Sequence, residues 1–156
     1  MYGQGSVTLW MNASPDRVWQ LLSDPTLIGR YSPETFEGEW LGGATGPEVG
    51  ARFRGHVRRN GRGPVYWTTC TVTESVPGEH FAFAVGARDK PVIRWGYQLT
   101  PSEGGTEVRE YFASERSKLM RVYWTIVGPA RTRTNLRNMR ATLERIRSEV
   151  EQPLPS

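Results

Sequence analysis

The sequence predicts an α+β protein in which one curved antiparallel sheet of seven strands wraps around a long C-terminal helix. Three observations predict it: a first strand followed by two short helices, six strand-like segments joined by short turns, and a C-terminal segment of helical periodicity. Sequential strands with short connections pair antiparallel, and one helix cannot fill the concave face of so wide a sheet. We therefore expect an internal cavity between sheet and helix, a place where ligand sites are common.

The chain begins with a predicted strand, residues 5–12, in which alternate positions are apolar. Ser14-Pro15 then predicts a helix start, because serine caps the free N–H groups of a first turn and proline fits its first position. Asp24-Pro25 repeats this signal, so a second short helix that ends at Gly29 is expected.

Six further strands are predicted in the middle of the chain, because Thr, Val and aromatic residues recur between turn-forming Gly, Pro, Asp and Asn. The strongest single turn signal is Asn60-Gly61, which is typical of a tight hairpin. The predicted strands are residues 36–41, 50–59, 65–75, 80–87, 92–100 and 106–113.

The C-terminal segment changes to helical periodicity, with apolar residues recurring at intervals of three and four. These residues are Leu136, Met139, Leu143, Ile146 and Val150. They predict one amphipathic helix over residues 129–150, with Pro129 near its start. Residues 152–156 contain two prolines and are expected to fray.

Composition and missing motifs exclude several classes of protein. No apolar run approaches the ~18 residues that span a bilayer, and the first ten residues lack a secretory signal, so we expect a soluble, cytoplasmic protein. The lone cysteine, Cys70, forms neither an internal disulfide nor a thiolate cluster. No metal-binding or phosphate-loop motif is present, so no metal and no cofactor are expected. The net charge of +4 is mild, and glutamates interrupt the Arg-rich helix, so nucleic acid is not an expected partner.

The order of several short motifs resembles that of a known superfamily. The motifs are Ala13–Trp19, Val49–Phe53, Trp67–Val72, Pro77-Gly78 with Phe81 and Phe83, Trp95–Leu99, Gly105–Val108 and Asn135–Met139. Over nearly the whole chain the sequence is similar to the START-like superfamily called SRPBCC, and within it to the polyketide cyclase/dehydrase and lipid-transport branch. This resemblance implies the helix-grip fold, with a single START-like ligand-binding domain over residues 1–151.

The resemblance implies two functions, and a third interpretation is an interaction or regulatory protein whose Arg-rich surfaces contact an acidic partner. The first is the binding of a small hydrophobic or amphipathic molecule (a lipid, a polyketide-like compound or an isoprenoid) in the cavity. The alternative is a polyketide aromatase/cyclase or dehydratase that positions a poly-keto chain in the same cavity. Such cyclases place an arginine on the fourth strand and a tyrosine near the second, where this chain has Thr71 and either Thr35 or Phe36. These departures favour binding over catalysis.

Strand parity, together with the resemblance, predicts which side chains meet a ligand, since alternate residues of a strand share a face. In residues 65–73 both faces are mixed, and we favour Trp67 facing inward. Both histidines, His56 and His80, are placed on the outer face. The predicted ligand-binding residues are Phe36, Trp40, Phe53, Trp67, Thr69, Phe83, Trp95, Tyr97, Phe112, Asn135 and Met139.

Glu110 is the candidate catalytic residue. It shares a strand face with Val108 and Phe112, so an inward orientation places a carboxyl group in an apolar pocket. Burial then raises its pKa, and the group is able to anchor a polar ligand atom or to act as a general acid or base. The alternatives are an ion pair with an arginine, or a bulge that turns the side chain outward.

Residues 114–128 are apolar with basic residues among them, and they connect the last strand to the long helix. In relatives such a connection lies near the cavity mouth. The segment is therefore interpreted as a lid, as an edge that transiently contacts a membrane to collect a lipid, or as a short packed helix. For the whole protein we expect a monomer or a weak homodimer.

Overall fold

In the computed structural model the chain forms one seven-stranded antiparallel sheet and a long C-terminal helix, as the sequence predicts. The structure describes residues 3–59, 62–114 and 118–153. The Asn60-Gly61 turn lies outside these residues. The strands are β1 (Gln4–Met11), β2 (Thr35–Leu41), β3 (Arg52–Val57), β4 (Tyr66–Val76), β5 (His80–Ala87), β6 (Lys90–Ser102) and β7 (Gly105–Ser114), and the α-helices are α1 (Pro15–Leu22) and α2 (Lys118–Val150).

The strands are arranged in the order β1-β7-β6-β5-β4-β3-β2, and every neighbouring pair is antiparallel. Strands β2 to β7 follow one another in space as in sequence, while β1 pairs with β7, so the first and last strands are neighbours. The register places Glu110 of β7 opposite Val7 on one side and opposite Tyr97 on the other. Side chains of three neighbouring strands, β1, β7 and β6, therefore converge on one part of the concave face.

Capping fixes the two short helices between β1 and β2. The Ser14 hydroxyl accepts from the Arg17 N–H at 3.3 Å, and Pro15 occupies the first turn of α1. The second element is a 3-10 helix, Pro25–Arg30, whose first N–H groups are capped by Asp24. It lies directly against β2, because a Cβ added at Gly38 would collide with the carbonyl of Pro25.

The core fills the end of the concave face that α1 and the last turns of α2 cover. Leu143, Ile146 and Val150 of α2 are almost fully buried against Met11 of β1 and Val108 of β7. A smaller apolar cluster, comprising Phe112, Trp124 and Met139, lies further towards the N-terminal half of α2. The apolar stripe predicted for α2 is thus the surface that packs on the sheet.

The long helix begins earlier than the sequence predicts. α2 spans 33 residues from Lys118, so Pro129 lies inside it rather than near its start. A proline removes one helical hydrogen bond, and this favoured a boundary at residue 129. Burial of Trp124 against Phe112 explains how packing holds the preceding turns in the helix. Residues 118–128 are therefore the start of α2, not a separate short helix, and residues 115–117 lie outside the described residues.

Within the described part of the chain, no helix combines the length and the apolar character needed to cross a lipid bilayer.

Candidate functional site

A cavity of about 810 Å³ separates α2, between Tyr123 and Thr142, from the concave face of the sheet. Strands β3 to β7 contribute its floor and walls, α2 covers it, and the segment around Tyr31 closes one side. Aromatic and aliphatic side chains make up most of the lining. The cavity that we expect, because one helix cannot fill the concave face of a seven-stranded sheet, is therefore present, and it lies beside the core.

Seven of the residues selected from the sequence line this cavity. They are Phe53, Phe83, Trp95, Tyr97, Glu110, Asn135 and Met139. The five on strands face inward because they lie on the same side of the pleat as core residues such as Phe81 and Leu99. Strand parity was sufficient to find them: the burial of β3, β6 and β7 alternates clearly along each strand, and in β5 large phenylalanines alternate with small alanines.

Trp67 and Thr69 face outward, contrary to the prediction. The register pairs Phe53 with Cys70, and Phe53 is buried on the concave face, so Thr68 and Cys70 line the cavity instead. The Trp67 ring lies on the convex face, stacked on the His56 ring at a centroid distance of 4.2 Å. Sequence parity failed in β4 because threonines occupy both of its faces.

Phe36 also lies outside the cavity, and its predicted inward orientation is wrong. A bulge between Thr35 and Glu37 shifts the register of β2, so Thr35 lines the cavity and Phe36 lies against His56 with 46% of its surface exposed. Trp40, beyond the bulge, does face inward, but its ring packs edge-to-face on Phe53 in the core and does not line the cavity.

Phe112 is almost fully buried behind the cavity wall rather than on it. Its ring centroid lies 5.3 Å from that of Trp95 and 6.3 Å from that of Trp124, and both of these tryptophans line the cavity. Phe112 therefore supports two lining residues without lining the cavity itself. Strand parity predicts on which face of the sheet a side chain lies, but it does not distinguish a residue that lines the cavity from one that packs behind the lining.

Glu110 is buried in the cavity lining, with 5% of its surface exposed. The Tyr97 hydroxyl donates a hydrogen bond to its Oε1 at 3.2 Å, and its Oε2 has no partner among the described residues. The register of β7 is continuous past Glu110 on both sides, so no bulge turns the side chain outward. Neither alternative considered from the sequence, an arginine ion pair or a bulge, is present at this described residue.

Burial raises the pKa of Glu110 from 4.5 to about 8, against a smaller opposing effect of the Tyr97 hydrogen bond. At neutral pH the carboxyl group is therefore mostly protonated and uncharged. Burial, reinforced by the nearby Glu110 carboxyl, also raises the pKa of Tyr31 and of Tyr97, so both phenols stay neutral. The cavity thus contains three uncharged O–H groups close to one another in an apolar surround.

Sequence reasoning missed several lining residues. Tyr31 follows the 3-10 helix and lies in no strand, so parity had no bearing on it. Trp124 belongs to the part of α2 that was not predicted as helix. Cys70 is buried in the lining, and burial raises the pKa of its thiol to about 12, so the thiolate is not formed near neutral pH.

The mouth of the cavity holds a small polar network. Glu34, which precedes β2, accepts hydrogen bonds from Arg131 at 3.3 Å and from Asn138 at 2.7 Å, and both donors lie on α2. Glu34 and Arg131 are each less than one-fifth exposed, so this pair fastens the helix to the sheet edge with little competition from water.

Other titratable groups lie away from the cavity. His56 and His80 lie on the convex face, each half-buried, where His56 contacts Glu37 and His80 contacts the Tyr111 hydroxyl, each at 2.8 Å. Among the residues that the structure describes, no group of three His, Cys, Asp or Glu side chains is placed to hold a metal ion. The cavity lining offers apolar contact, and hydrogen bonding from Glu110 and its neighbours.

Comparison with known structures finds the same fold in proteins of low sequence identity. A crystal structure from Chromobacterium violaceum is 15% identical with a TM-score of 0.70, over 97% of this chain and 99% of that one. A crystal structure from Mycobacterium smegmatis is 17% identical with a TM-score of 0.65, over 95% and 90% of the two chains. An NMR structure of the KanY protein is 16% identical with a TM-score of 0.68, over 97% and 99%.

At these identities the likeness shows the fold alone. No curated protein matches the chain. A family model does: the one described as polyketide cyclase/dehydrase and lipid transport matches residues 5–151. With its antiparallel sheet, its long C-terminal helix and the cavity between them, the chain belongs to the polyketide cyclase/dehydrase and lipid-transport family of the START-like (SRPBCC) superfamily.

Proposed function

We propose that the protein binds a small hydrophobic or amphipathic molecule, such as a lipid, a polyketide-like compound or an isoprenoid, between the sheet and α2. The observation that carries this proposal is the cavity of about 810 Å³ lined mainly by aromatic and aliphatic side chains. Its size falls within the range of small-molecule sites, ~300–1,000 Å³. The family to which the chain belongs includes lipid-transport proteins, which agrees with this function.

Apolar contact provides the driving force in this proposal. A ligand that removes about 300 Å² of apolar surface from water gains roughly 7 kcal/mol, at ~25 cal/mol per Å². Loss of translational and rotational freedom opposes this gain by at least ~4 kcal/mol, so tight binding also requires polar contacts. Glu110, Tyr97 and Asn135 are the buried polar residues that the proposal assigns to ligand orientation.

The Glu110 carboxyl group is the main polar contact in this assignment. Its Oε2 has no partner among the described residues, and leaving a buried polar atom unpaired costs about 1–3 kcal/mol. A ligand acceptor, such as a carbonyl or ether oxygen, would satisfy the protonated carboxyl group. Its raised pKa makes it a hydrogen-bond donor at neutral pH rather than a fixed charge.

The experiment is a fluorescence titration with N-phenyl-1-naphthylamine, a neutral apolar probe. Trp95→Ala, which removes an aromatic side chain from the cavity lining, should raise the dissociation constant about tenfold or more, because a large aromatic contact with the probe is lost. Trp67→Ala is the matched control, because it removes the same side chain from the convex face. Equal effects of the two substitutions, or no binding to the wild type, would contradict the proposal.

A second function, polyketide cyclase or dehydratase, is favoured by one observation. Glu110 combines a pKa of about 8 with a hydroxyl neighbour at 3.2 Å, and general acids and bases work best with a pKa near the working pH. The inward positions of β4 are Tyr66, Thr68, Cys70 and Val72, so Thr71 faces outward and β4 offers no basic residue to the cavity. For this reason we rank catalysis second.

Glu110→Gln separates the two functions once a poly-keto substrate is offered. Catalysis by Glu110 predicts loss of turnover with ligand affinity preserved, because the amide retains hydrogen bonding but transfers no proton. A binding role predicts a change in affinity and no turnover in the wild type. The readout is product formation measured by mass spectrometry beside a titration of the same substrate.

We also propose that the exposed side of the N-terminal half of α2 transiently contacts a lipid bilayer. Val122 and Ile126 are 56% and 74% exposed there, while Tyr123 and Trp124 of the same turns line the cavity. Contact would thus bring the cavity mouth to the lipid surface. Val122→Ser with Ile126→Ser should reduce sedimentation with phosphatidylcholine vesicles, and the exposed Val49→Ser should not.

The proposal places the protein in the cytoplasm as a monomer or weak homodimer, with residues 1–151 as its ligand-binding domain. A single buried cysteine, Cys70, gives the fold no need of an oxidising compartment. Cell fractionation and analytical ultracentrifugation test these points. Recovery in a membrane-spanning or stably dimeric form would contradict them.

A further inference from the structure

A second depression, of about 630 Å³, adjoins the mouth of the cavity. The two spaces share Pro33, Glu34, Arg59 and Asn138, so a molecule that leaves the cavity at this side passes directly over the depression. Beyond these shared residues it is lined by Arg62, Thr134 and Arg137. An apolar interior therefore opens onto a basic surface.

The positive charge of this surface is not neutralised within the described residues. The arginine rim, defined as Arg59, Arg62 and Arg137, is exposed, and in the described part of the chain no carboxylate forms an ion pair with its guanidinium groups. The one carboxylate of the depression, Glu34, already accepts from Arg131 and Asn138. Three arginines thus line the depression beside one carboxylate, Glu34, which is already hydrogen-bonded.

From this juxtaposition we infer that the cavity ligand is an anionic amphipath, whose carboxylate, sulfonate or phosphate group binds the arginine rim while its apolar part fills the cavity. The inference rests on the proposed function and adds the chemical class of the ligand. Arginine suits this role because its planar, permanently charged group forms paired hydrogen bonds with carboxylate and phosphate oxygens.

The interior of the cavity fixes the direction in which such a ligand lies. The carboxyl and guanidinium groups of the cavity lining belong to Glu34, Arg59, Glu110 and Arg131, and the two arginines lie on the side that adjoins the depression. An anionic group placed beside the buried Glu110 would meet a carboxyl group and no cation, which is costly in an apolar surround. The charged end therefore lies at the rim, and the uncharged end reaches Glu110.

Two probes that differ in one sulfonate group test the inference. They are 8-anilinonaphthalene-1-sulfonate and N-phenyl-1-naphthylamine, which share the anilinonaphthalene skeleton. The rim variant is Arg59→Ala, Arg62→Ala and Arg137→Ala together. The control variant is Arg133→Ala, Arg140→Ala and Arg145→Ala, which makes the same change in net charge at exposed positions outside both spaces.

The rim variant should bind the sulfonate probe about tenfold more weakly, a loss of ~1.4 kcal/mol that three partly exposed ion pairs can supply. Its affinity for the neutral probe should change less than twofold, and the control variant should bind both probes as the wild type does. Raising the ionic strength should weaken sulfonate binding to the wild type and leave neutral binding unchanged. Thermal unfolding of each variant checks that all of them fold.

Three outcomes would overturn the inference. If the rim variant binds both probes as the wild type does, the rim does not bind the anionic group, and only the proposed binding of an apolar ligand in the cavity still stands. If inorganic phosphate displaces the sulfonate probe as effectively as a second anionic amphipath, the rim is an independent anion site and does not belong to the cavity ligand. If the neutral probe fails to bind the wild type at all, the proposed function itself fails.

Discussion

The two ends of the concave face differ in how completely α2 closes over them. At the C-terminal end of the helix, Leu143 and Ile146 are fully buried in one cluster with Met11 and Val108, so the two layers are in direct contact. At the N-terminal end, inward aromatic residues from β3, β5 and β6 stop short of the helix and leave about 810 Å³ open. One helix and one sheet thus form a close-packed core and a ligand cavity side by side.

This difference separates stability from binding. α1 covers the first end together with α2, and Val18, Leu21 and Leu22 fill the space that the long helix alone would leave. Nothing equivalent covers the second end among the described residues, and Tyr31, Tyr97 and Glu110 place polar groups there instead. We therefore expect substitutions at the first end to act mainly on folding and those at the second mainly on binding.

The largest effect is expected for Leu143→Ala in the closed end. Removal of a fully buried leucine leaves a void, and such substitutions lower the free energy of unfolding by about 3–5 kcal/mol. Urea-induced unfolding followed by circular dichroism measures this loss. A loss below about 1 kcal/mol would show that this end is not the close-packed core described above.

The second-largest effect is the pH dependence of stability that the buried Glu110 carboxyl group produces. Because its folded pKa, about 8, exceeds its unfolded value of 4.5, the folded state binds more protons between these values, and stability falls as pH rises through that window. The slope approaches about 1.4 kcal/mol per pH unit, so from pH ~5 to pH ~7 wild type should lose roughly 2–3 kcal/mol relative to Glu110→Gln. Equal pH profiles for the two proteins would mean that the carboxyl group is not buried.

A smaller effect on stability is expected for Phe83→Ala, which enlarges an existing cavity. Phe83 is half-buried and its ring packs on Phe53, so part of its surface is already free of protein contacts. The free energy of unfolding should fall by about 1–2 kcal/mol, less than for Leu143→Ala, while affinity for N-phenyl-1-naphthylamine changes more. If Phe83→Ala lowered the free energy of unfolding more than Leu143→Ala does, the distinction between a close-packed end and a ligand-binding end would not hold.

The smallest effect is expected for Trp67→Ala on the convex face. The ring is 39% exposed, and its contacts are the His56 ring and the Arg54 guanidinium group 4.1 Å from its centroid. Loss of these contacts should lower the free energy of unfolding by about 1 kcal/mol or less and leave probe binding unchanged. A large loss of binding would place this residue in the site after all.

The same two ends show what the sequence predicts and what it does not. Element order, caps and alternation predicted the fold, because each depends on residues close together in the chain. The inward orientation of Trp95, Tyr97 and Glu110 followed from parity in strands whose faces differ clearly. Parity failed for Trp67, where both faces of β4 are mixed, and for Phe36, where one bulge residue shifts the register.

Features set by long-range packing were beyond the sequence patterns. The start of α2 depends on burial of Trp124 against Phe112, which outweighs the helix-breaking tendency of Pro129. The position of Tyr31 in the cavity depends on how the 3-10 helix lies against β2. Such contacts join residues that are far apart in the chain, so no local sequence pattern predicts them.

Whether the cavity is a ligand site is tested most directly by native mass spectrometry of gently purified protein, followed by solvent extraction and identification of any released compound. We expect a bound hydrophobic or amphipathic molecule of fixed mass, at one per chain, with a smaller bound fraction in Trp95→Ala than in Trp67→Ala. Protein that is empty as purified, and that also fails to take up N-phenyl-1-naphthylamine, would contradict the claim that the cavity is a ligand site.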